Sequence, residues 1–380
     1  MSNAMYVDHW NRQNAGWKAL SPGLTRDSEG NFFGTSLYGG RHGQGTVFRL
    51  DRYGHVEPVH DFNGLDGSVP RASLLLGRDG SFFGTTAIGG DEGCGTVFSL
   101  SRAGHLARLH AFNGKDGSVP RGSLLEGANG DLYGTTAEGG AHGRGSIFRM
   151  SPSGRLKTLF GFSGLDGAAP QGGLVQGQDG TLYGTTAVGG PKAKGTVFSL
   201  TSSGQHKVLH AFTGADGAYP SCLTEAEDGN FYGTTLYGGT ENKGTVFRVS
   251  PRGKFVILHQ FRGNDGANPR AGLTLGRDGL LYGTTGEGGP SECGSVFAIS
   301  TSGRLHTLHF FHGATDGANP YPALTTGGDA SIYGMTCAGG ICNEGVLFRT
   351  GSTGEFSYVP LVSGSEMPIP DDMTYRVKMQ

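Results

Sequence analysis

The chain has 380 residues, carries a formal net charge of −2 and contains 72 glycines and 16 prolines. Neither the charge balance nor any run of Lys or Arg favours a nucleic-acid partner or an anionic membrane surface. No apolar stretch of about 18 residues predicts membrane insertion through a helix. The five cysteines are an odd number and define no disulfide framework.

The sequence divides into three parts. We expect an N-terminal extension, a repeated region and a C-terminal tail, at residues 1–21, 22–362 and 363–380. The first residues lack the hydrophobic region of a secretory signal, which favours a cytoplasmic protein. An exported protein is the alternative if the natural N-terminus has been trimmed.

A short motif, an aromatic residue followed by Gly and then by Thr or Met, recurs seven times. Its glycines are 50, 50, 50, 49, 50 and 51 residues apart, at Gly34, Gly84, Gly134, Gly184, Gly233, Gly283 and Gly334. A fixed period in this range is typical of propellers, solenoids and arrays. The repeated region is therefore interpreted as seven copies of one structural unit.

The second copy predicts four short strands. They are expected at residues 70–77, 81–86, 96–100 and 105–112, with turn residues between them. Asp79-Gly80 predicts a type I′ hairpin turn, in which both central residues have positive φ. No window of about 11 residues holds the apolar spacing of a helix. Four antiparallel strands per copy predict an all-β fold, a seven-bladed β-propeller.

Two apolar positions recur in all seven copies and are expected to be buried between blades. The first strand carries a Leu and the third a Phe, in the second copy Leu74 and Phe98. The seventh copy is irregular, because its first turn is Asp329-Ala330 where the other six end in Gly. The strands of each copy follow sequence order, so we expect no strand exchange to close the ring. The N-terminal segment and residues 373–378 are the two candidates for an extra outer strand.

The motif resembles a known bacterial repeat. Residues 179–200, DGTLYGTTAVGGPKAKGTVFSL, are similar to the hallmark DGxxYGTTxxGGxxxxGTVFxL of the GloVer tandem repeat. The resemblance covers about residues 22–362. It implies a β-propeller with no assigned reaction, and relatives that are exported or surface-anchored. This sequence shows neither a signal peptide nor a hydrophobic C-terminal anchor.

Polar residues that recur in most copies are best explained by the blade, because a bound ligand usually breaks the symmetry of a repeat. A His recurs in the fourth strand, at His60, His110, His210, His259 and His309. An Asp recurs in the loop that enters the next copy, at Asp66, Asp116, Asp166, Asp216, Asp265 and Asp316. We interpret the histidines as hydrogen-bonded to a neighbouring strand or turn, and the aspartates as turn-capping residues. One carboxylate per loop suits calcium poorly, so neither a metal nor a cofactor is predicted.

Two cysteines share one loop of the seventh copy, at Cys337 and Cys342. A zinc site would need two more ligands close by. A local disulfide is the alternative in an oxidising compartment, but we expect unpaired thiols.

The candidates for ligand binding vary between copies and lie in the two long loops, which share one face of a propeller. Directly after the opening proline of a copy come Arg71, Arg121, Gln171, Ser221, Arg270 and Tyr321. This ring is expected to surround the channel mouth, where three guanidinium groups would clamp a carboxylate, a phosphate or an acidic peptide. The alternative is that each Arg forms a weak surface ion pair with a loop Asp. Tyr38 and Tyr237, in equivalent loops, are candidates for aromatic contacts.

No catalytic residue is predicted. Glu126 and Glu225 lie on innermost strands and are expected to pack between blades, whereas a role as acid or base, if they face the channel, is the alternative. We predict a monomeric binding or interaction platform for a protein or a small acidic molecule. The alternatives are a carbohydrate-binding propeller with near-equivalent sites between blades, and an enzyme of lyase or hydrolase type at the channel mouth.

Overall fold

The structure is a computed structural model that describes residues 23–51, 55–341, 343–351, 354–363 and 375–377, the segments 362–363 and 375–377 by their backbone alone. The described residues form seven sheets, one for each copy of the repeat, in which consecutive strands are antiparallel. The inner ends of the first and last sheets meet at a bridge between Gly23 and Ala323. The chain is an all-β, seven-bladed propeller, as the period predicts. No helix with the length and apolar character of a membrane span occurs in these segments.

The first three blades each contain four consecutive strands in sequence order, and blade one has a fifth, β30 Val362–Ser363, from after blade seven. Their strands are β1 Thr25–Arg26, β2 Phe32–Ser36, β3 Thr46–Leu50, β4 His55–Asp61, β5 Leu75–Leu76, β6 Phe82–Thr86, β7 Thr96–Leu100, β8 Leu106–Ala111, β9 Leu125–Glu126, β10 Leu132–Thr136, β11 Ser146–Met150 and β12 Leu156–Gly161.

The remaining blades repeat this order, with an additional short strand in blade five and further strands after blade seven. Their strands are β13 Val175–Gln176, β14 Leu182–Thr186, β15 Thr196–Leu200, β16 His206–Ala211, β17 Ala218–Pro220, β18 Thr224–Glu225, β19 Phe231–Tyr237, β20 Thr245–Val249, β21 Phe255–Gln260, β22 Thr274–Leu275, β23 Leu281–Thr285, β24 Ser295–Ile299, β25 Leu305–Phe310, β26 Thr325–Thr326, β27 Ile332–Met335, β28 Val346–Thr350, β29 Phe356–Pro360, β30 Val362–Ser363 and β31 Tyr375–Val377.

The innermost strand of a blade is much shorter than the sequence predicts. In blade two it contains only Leu75–Leu76, whereas the segment 70–77 was expected to pair throughout. The carbonyl of Ala72 instead accepts a hydrogen bond of 3.4 Å from the Thr35 hydroxyl of the preceding blade. The Ala72 carbonyl is therefore bonded to the neighbouring blade and not within its own ladder.

The residue before the opening proline has a left-handed backbone in six copies. Its φ lies between 52° and 57° at Val69, Val119, Ala169, Tyr219, Asn268 and Asn319. This region is unfavourable for a β-branched residue such as Val69. Two backbone bonds stabilise the bend there: the Val69 amide donates to the Gln44 carbonyl at 2.9 Å, and the Val69 carbonyl accepts from the Ala87 amide at 3.0 Å. The bend delivers the next residues to the centre of the ring.

The first hairpin turn differs from the predicted type I′ turn. Gly80 has a φ of +82°, but Asp79 is not among the residues with positive φ. The Gly80 amide donates to the Gly77 carbonyl at 2.9 Å, and the Gly77 amide to the Ser81 carbonyl at 2.8 Å. This is the geometry of a three-residue loop with one left-handed glycine. The type I′ prediction is wrong because Asp-Gly suits both turns.

The core consists of the layers between blades. The seven recurrent Phe side chains of the third strands are 0–1 % exposed, and the seven recurrent Leu side chains are 3–6 % exposed. A Cβ added at Gly84 would lie 2.4 Å from Cζ of Phe98, so the motif glycine makes room for the Phe ring. Each buried side chain of this size contributes about 1.5–3 kcal/mol. The recurrent apolar positions are therefore the inter-blade core, as predicted.

The ends of the ring are joined by the segment that follows blade seven. β30 runs parallel to β4 of blade one, with Val362 opposite His55 and Ser363 opposite Val56. The expectation that no strand exchange closes the ring is therefore wrong. β31, Tyr375–Val377, pairs antiparallel with β29 as a fifth strand of blade seven. The expected outer strand within residues 373–378 is thus present over the three residues that the structure describes.

Candidate ligand site at the channel mouth

A cavity of about 370 Å³ lies where the residues that follow the opening prolines of the blades converge, and we call it the channel mouth. The six positions that follow these prolines all line it: Arg71, Arg121, Gln171, Ser221, Arg270 and Tyr321. The predicted ring is therefore assembled around one space. That these side chains bind a ligand stays a prediction.

Arg270 is fixed by an aromatic neighbour. Its guanidinium carbon lies 4.4 Å from the centre of the Tyr321 ring, a cation–π contact. Tyr321 covers Gly286, where an added Cβ would lie 2.4 Å from the ring, so this position requires a glycine. Within the described part of the chain, the buried Nε of Arg270 has no hydrogen-bond partner.

Burial raises the pKa of the Tyr321 hydroxyl, and the nearby Arg270 partly opposes that shift. The Cys337 thiol lies near both Tyr321 and Arg270. Burial raises the pKa of this thiol to about 11, while a backbone hydrogen bond with Tyr321 and the charge of Arg270 oppose the shift. Cys337 is a free thiol, as expected. Cys342 lies outside the described residues.

The two predicted loop tyrosines do not join this ring. Tyr237 lines a second cavity of about 310 Å³, together with Lys194, Asn242 and Tyr219. Its ring meets that of Tyr219 edge-on, with centroids 5.9 Å apart. Tyr38 is half-buried and is not among the residues that line either cavity.

Two residues of the channel mouth were missed by sequence reasoning. Tyr219 lines both cavities, and Cys222 lines the channel mouth. Tyr219 occupies the left-handed position before the proline, where the five other described copies carry Val, Ala or Asn. Sequence reasoning could have found Tyr219, because it is an aromatic residue at a position that varies between copies. Burial raises the pKa of the Cys222 thiol.

The two glutamates lie at the turns between blades and not at the channel mouth. Glu126 accepts a hydrogen bond of 3.0 Å from the amide of Arg78, in the first turn of the preceding blade. Burial and the charge of Asp179, in the equivalent turn, raise the pKa of Glu225. Neither glutamate lines the mouth cavity. Their geometry is that of the predicted inter-blade contact.

The recurrent His and Asp residues are partners of one another. The His Nε2 lies 2.8–2.9 Å from the Asp Oδ2 in the pairs His60–Asp66, His110–Asp116, His210–Asp216, His259–Asp265 and His309–Asp316. The other carboxylate oxygen accepts the backbone amide that begins the loop, for example Asn63 to Asp66 at 2.9 Å. The predicted structural roles, a strand–turn hydrogen bond and a turn cap, are confirmed.

The fold and this arrangement define a seven-bladed β-propeller in which three arginines line one cavity. The chain belongs to the Gloeobacter/Verrucomicrobia repeat family, whose model matches residues 21–226 and 173–373. The resemblance to the GloVer repeat is thereby confirmed. No curated protein matches the chain.

Several solved propellers share the fold at low identity. The extracellular domain of a candidate one-component system from B. thetaiotaomicron has a TM-score of 0.61 and 12 % identity over 90 % of this chain, which spans 43 % of that protein. A candidate 6-phosphogluconolactonase from Bacteroides uniformis has a TM-score of 0.59 and 15 % identity, over 87 % of this chain and 95 % of the other. A puromycin-hydrolysing peptidase from Mycobacterium tuberculosis has a TM-score of 0.59 and 12 % identity, over 89 % and 52 %. At these identities the likeness shows the fold alone.

Proposed function

We propose that the protein is a binding platform whose channel mouth takes a small anionic ligand bearing carboxylate or phosphate groups. One observation carries the proposal: Arg71, Arg121 and Arg270 line a single cavity. Within the described part of the chain, these are the charged side chains that line it. A local excess of positive charge in a protein of net charge −2 attracts anions.

The size of the cavity favours a small molecule over a broad protein surface. Pockets for small ligands are typically about 300–1,000 Å³, and the channel mouth of about 370 Å³ is at the small end of that range. Guanidinium groups match carboxylate and phosphate oxygens in pairs. Tyr219, Tyr321 and Leu236 add aromatic and apolar surface beside them. The arrangement suits a ligand with anionic groups on a compact carbon skeleton.

Arg270 is held in place for binding. Tyr321 fixes its guanidinium through the cation–π contact of 4.4 Å, which reduces the side-chain freedom that binding would remove. The Nε of Arg270 is itself buried, so an oxyanion in the channel mouth would pair with the other nitrogens of the guanidinium.

A hydrolytic or lyase reaction has less support than binding. Such chemistry commonly uses a carboxylate or a His as general acid or base. The described residues that line the channel mouth include no Asp, Glu or His. Because one structural neighbour is named as a 6-phosphogluconolactonase, 6-phosphogluconate belongs among the ligands to be tested.

The test is calorimetric titration of the full chain with citrate, inorganic phosphate, 6-phosphogluconate, an oligoglutamate peptide and neutral glucose oligosaccharides. We expect at least one anion to bind. For that anion, the double variant Arg71→Ala/Arg121→Ala should lose about 2–4 kcal/mol of binding free energy with the fold intact, because two charge-assisted contacts disappear.

The matched control is Arg252→Ala/Arg277→Ala, which removes the same charge from exposed turns outside the cavity lining. Its affinity should be unchanged. Equal affinities of the channel-mouth variant and the parent would refute the arginine site and direct attention to the outer grooves. Binding of neutral oligosaccharides without any anion would favour the carbohydrate-binding alternative.

A further inference from the structure

A second imidazole joins one of the five His–Asp pairs, at the loop between blades six and seven. Oδ2 of Asp316 lies 2.9 Å from Nε2 of His309 and 3.1 Å from Nδ1 of His312. The three ligand atoms all lie within 4.8 Å of one another. We propose that His309, His312 and Asp316 bind a transition-metal ion, with Zn²⁺ as the best match.

The repeat shows that the turn does not need the second imidazole. The residue in the place of His312 is Asn63, Asn113, Ser163, Thr213 or Arg262 in the equivalent loops. In every case its backbone amide donates to Oδ1 of the loop Asp, and the His312 amide does the same at 2.8 Å. This backbone bond caps every loop, whichever side chain stands at the position, and only in some loops does that side chain add hydrogen bonds of its own. The His312 side chain adds a nitrogen ligand that the other loops lack.

The ligand atoms are close enough together to surround one metal ion. Zinc binds His nitrogen and carboxylate oxygen at about 2.0–2.2 Å, so neighbouring donors of a tetrahedral ion lie about 3.3–3.5 Å apart. The two measured separations, 2.9 Å and 3.1 Å, are hydrogen-bond distances, and a small outward shift of the exposed His312 and of the carboxylate would admit an ion. An ion would replace the imidazole protons that now make the contacts with Asp316.

Two of the three ligands are held rigidly, and the third provides access. The side chains of His309 and Asp316 are 9 % and 5 % exposed. The His309 ring stacks on Phe356, with centroids 3.6 Å apart and 8° between the planes. His312 is 63 % exposed, so an ion can reach the site from solvent. A preformed His–Asp pair with one open side is suited to capture of an ion.

The ligand types select the kind of ion. Imidazole nitrogen suits Zn²⁺, Cu²⁺ and Ni²⁺, whereas Ca²⁺ takes about six to eight oxygen ligands. Asp316 offers one carboxylate, and the two other ligands are nitrogens. Three protein ligands leave a fourth position of a tetrahedral zinc ion for water. The ion would join β25 of blade six to the loop that leads into blade seven.

The test uses the full chain without a polyhistidine tag, treated with EDTA and dialysed. Titration with ZnCl₂ should show one saturating equivalent, and CoCl₂ should give the visible absorption of a tetrahedral cobalt centre. His312→Asn places in this loop the residue that two other loops carry, so the variant should fold. It should bind Zn²⁺ more weakly by at least the roughly tenfold factor that even outer-shell changes cause.

The matched control is His142→Asn, the same substitution at an exposed histidine of another loop. Its zinc affinity should equal that of the parent. Thermal unfolding gives a second measurement, since an ion bound only to the folded state raises the melting temperature. Zn²⁺ should raise it in the parent and in the control more than in His312→Asn. Failure of the parent to bind Zn²⁺ saturably, or equal binding by His312→Asn, would overturn the proposal.

Discussion

The same inter-blade stack is built in two ways at neighbouring positions of the ring. Between blades four and five, His210 stacks on Phe255, with centroids 3.6 Å apart and 5° between the planes. Between blades three and four the two residue types are exchanged, and Phe160 stacks on His206 at 4.0 Å and 7°. The aromatic contact is retained although its polar and apolar members have changed places.

The exchange changes the hydrogen bonding and leaves the packing intact. His210 Nε2 reaches Asp216 Oδ2 at 2.9 Å. His206 Nε2 is buried and has no hydrogen-bond partner in the described part of the chain. The loop carboxylate bonds to the residue at one position of the fourth strand, which is His210 in blade four. In blade three that position is Phe160, which has no polar group to offer. The stack therefore forms with the His on either blade, whereas the hydrogen bond to the carboxylate forms only when the His is at the fourth-strand position next to the loop Asp.

The largest effect should come from removing the ring beneath each stack. Phe198 packs beside His206 and Phe247 beside Phe255, and both phenylalanines are 0 % exposed. Replacement of either by Ala should cost about 3–5 kcal/mol of unfolding free energy, because it leaves a cavity in a rigid layer. Urea unfolding of both variants measures it. A loss under about 1 kcal/mol would show that the layer collapses around the missing ring.

An effect of intermediate size is expected from removing the loop carboxylates, and the loss of unfolding free energy should differ between the two stacks. Asp216 accepts bonds from His210 and Thr213, and its Ala variant should lose about 1–3 kcal/mol because those donors are left partly buried. Asp166 is bonded to Ser163 without a His partner, so Asp166→Ala should lose less. Parallel denaturation curves test the difference. Equal losses would mean that the His–Asp bond contributes nothing to stability.

A pH titration should reveal the unpartnered imidazole. Burial lowers the pKa of His206, although the charge of Asp166 partly opposes this. A histidine with a lowered folded pKa binds its proton better when unfolded, so stability falls as pH drops below the unfolded value of about 6.5. His206→Phe, which copies Phe255, should lose less stability over that interval than the parent.

Urea midpoints on either side of the ordinary histidine pKa measure this dependence. Burial also lowers the pKa of His210, which its bond to Asp216 partly opposes, so some acid sensitivity should persist in the variant. The control is His105→Phe, at a histidine outside the stacks. Identical pH profiles for parent and His206→Phe would contradict the assignment.

The smallest effect is expected at a turn where one copy departs from the rest. Ala330 has a φ of +63°, whereas the equivalent position in the other copies is a left-handed glycine such as Gly80. Ala330→Gly should stabilise the protein by up to about 1 kcal/mol, because glycine adopts this conformation without strain. The urea midpoint should rise. Gly80→Ala, the reverse change in a regular copy, should lower it.

Much of the fold could be predicted because the period and the apolar positions repeat seven times. The third strand of the second copy was predicted with both ends correct, at Thr96–Leu100. The innermost strand was predicted too long, because its residues bond across to the neighbouring blade. The two-residue parallel contact of β30 with β4 has no pattern of its own. This pairing is visible only in the three-dimensional structure.

The site was predictable only in part. The prediction that Arg71, Arg121 and Arg270 lie around one space was correct, because each arginine directly follows the opening proline of its copy. The recurrent histidines and the recurrent aspartates were predicted to be two separate structural sets. The nearly constant number of residues between each His and its Asp also indicated that the two side chains meet. The interaction of His312 with Asp316 could not be predicted, because that loop contains one additional residue and its curvature decides the contact.

The pairing of β30 with β4 also constrains how the chain folds. It joins residues near opposite ends of the sequence, and contacts of such wide separation form slowly because they close a long loop. Until residues 362–363 arrive, β4 is an exposed edge that invites pairing with another chain. Its exposed Glu57 and Pro58 are residues that discourage such pairing. Blade one therefore carries its own protection against aggregation during the period before the ring is complete.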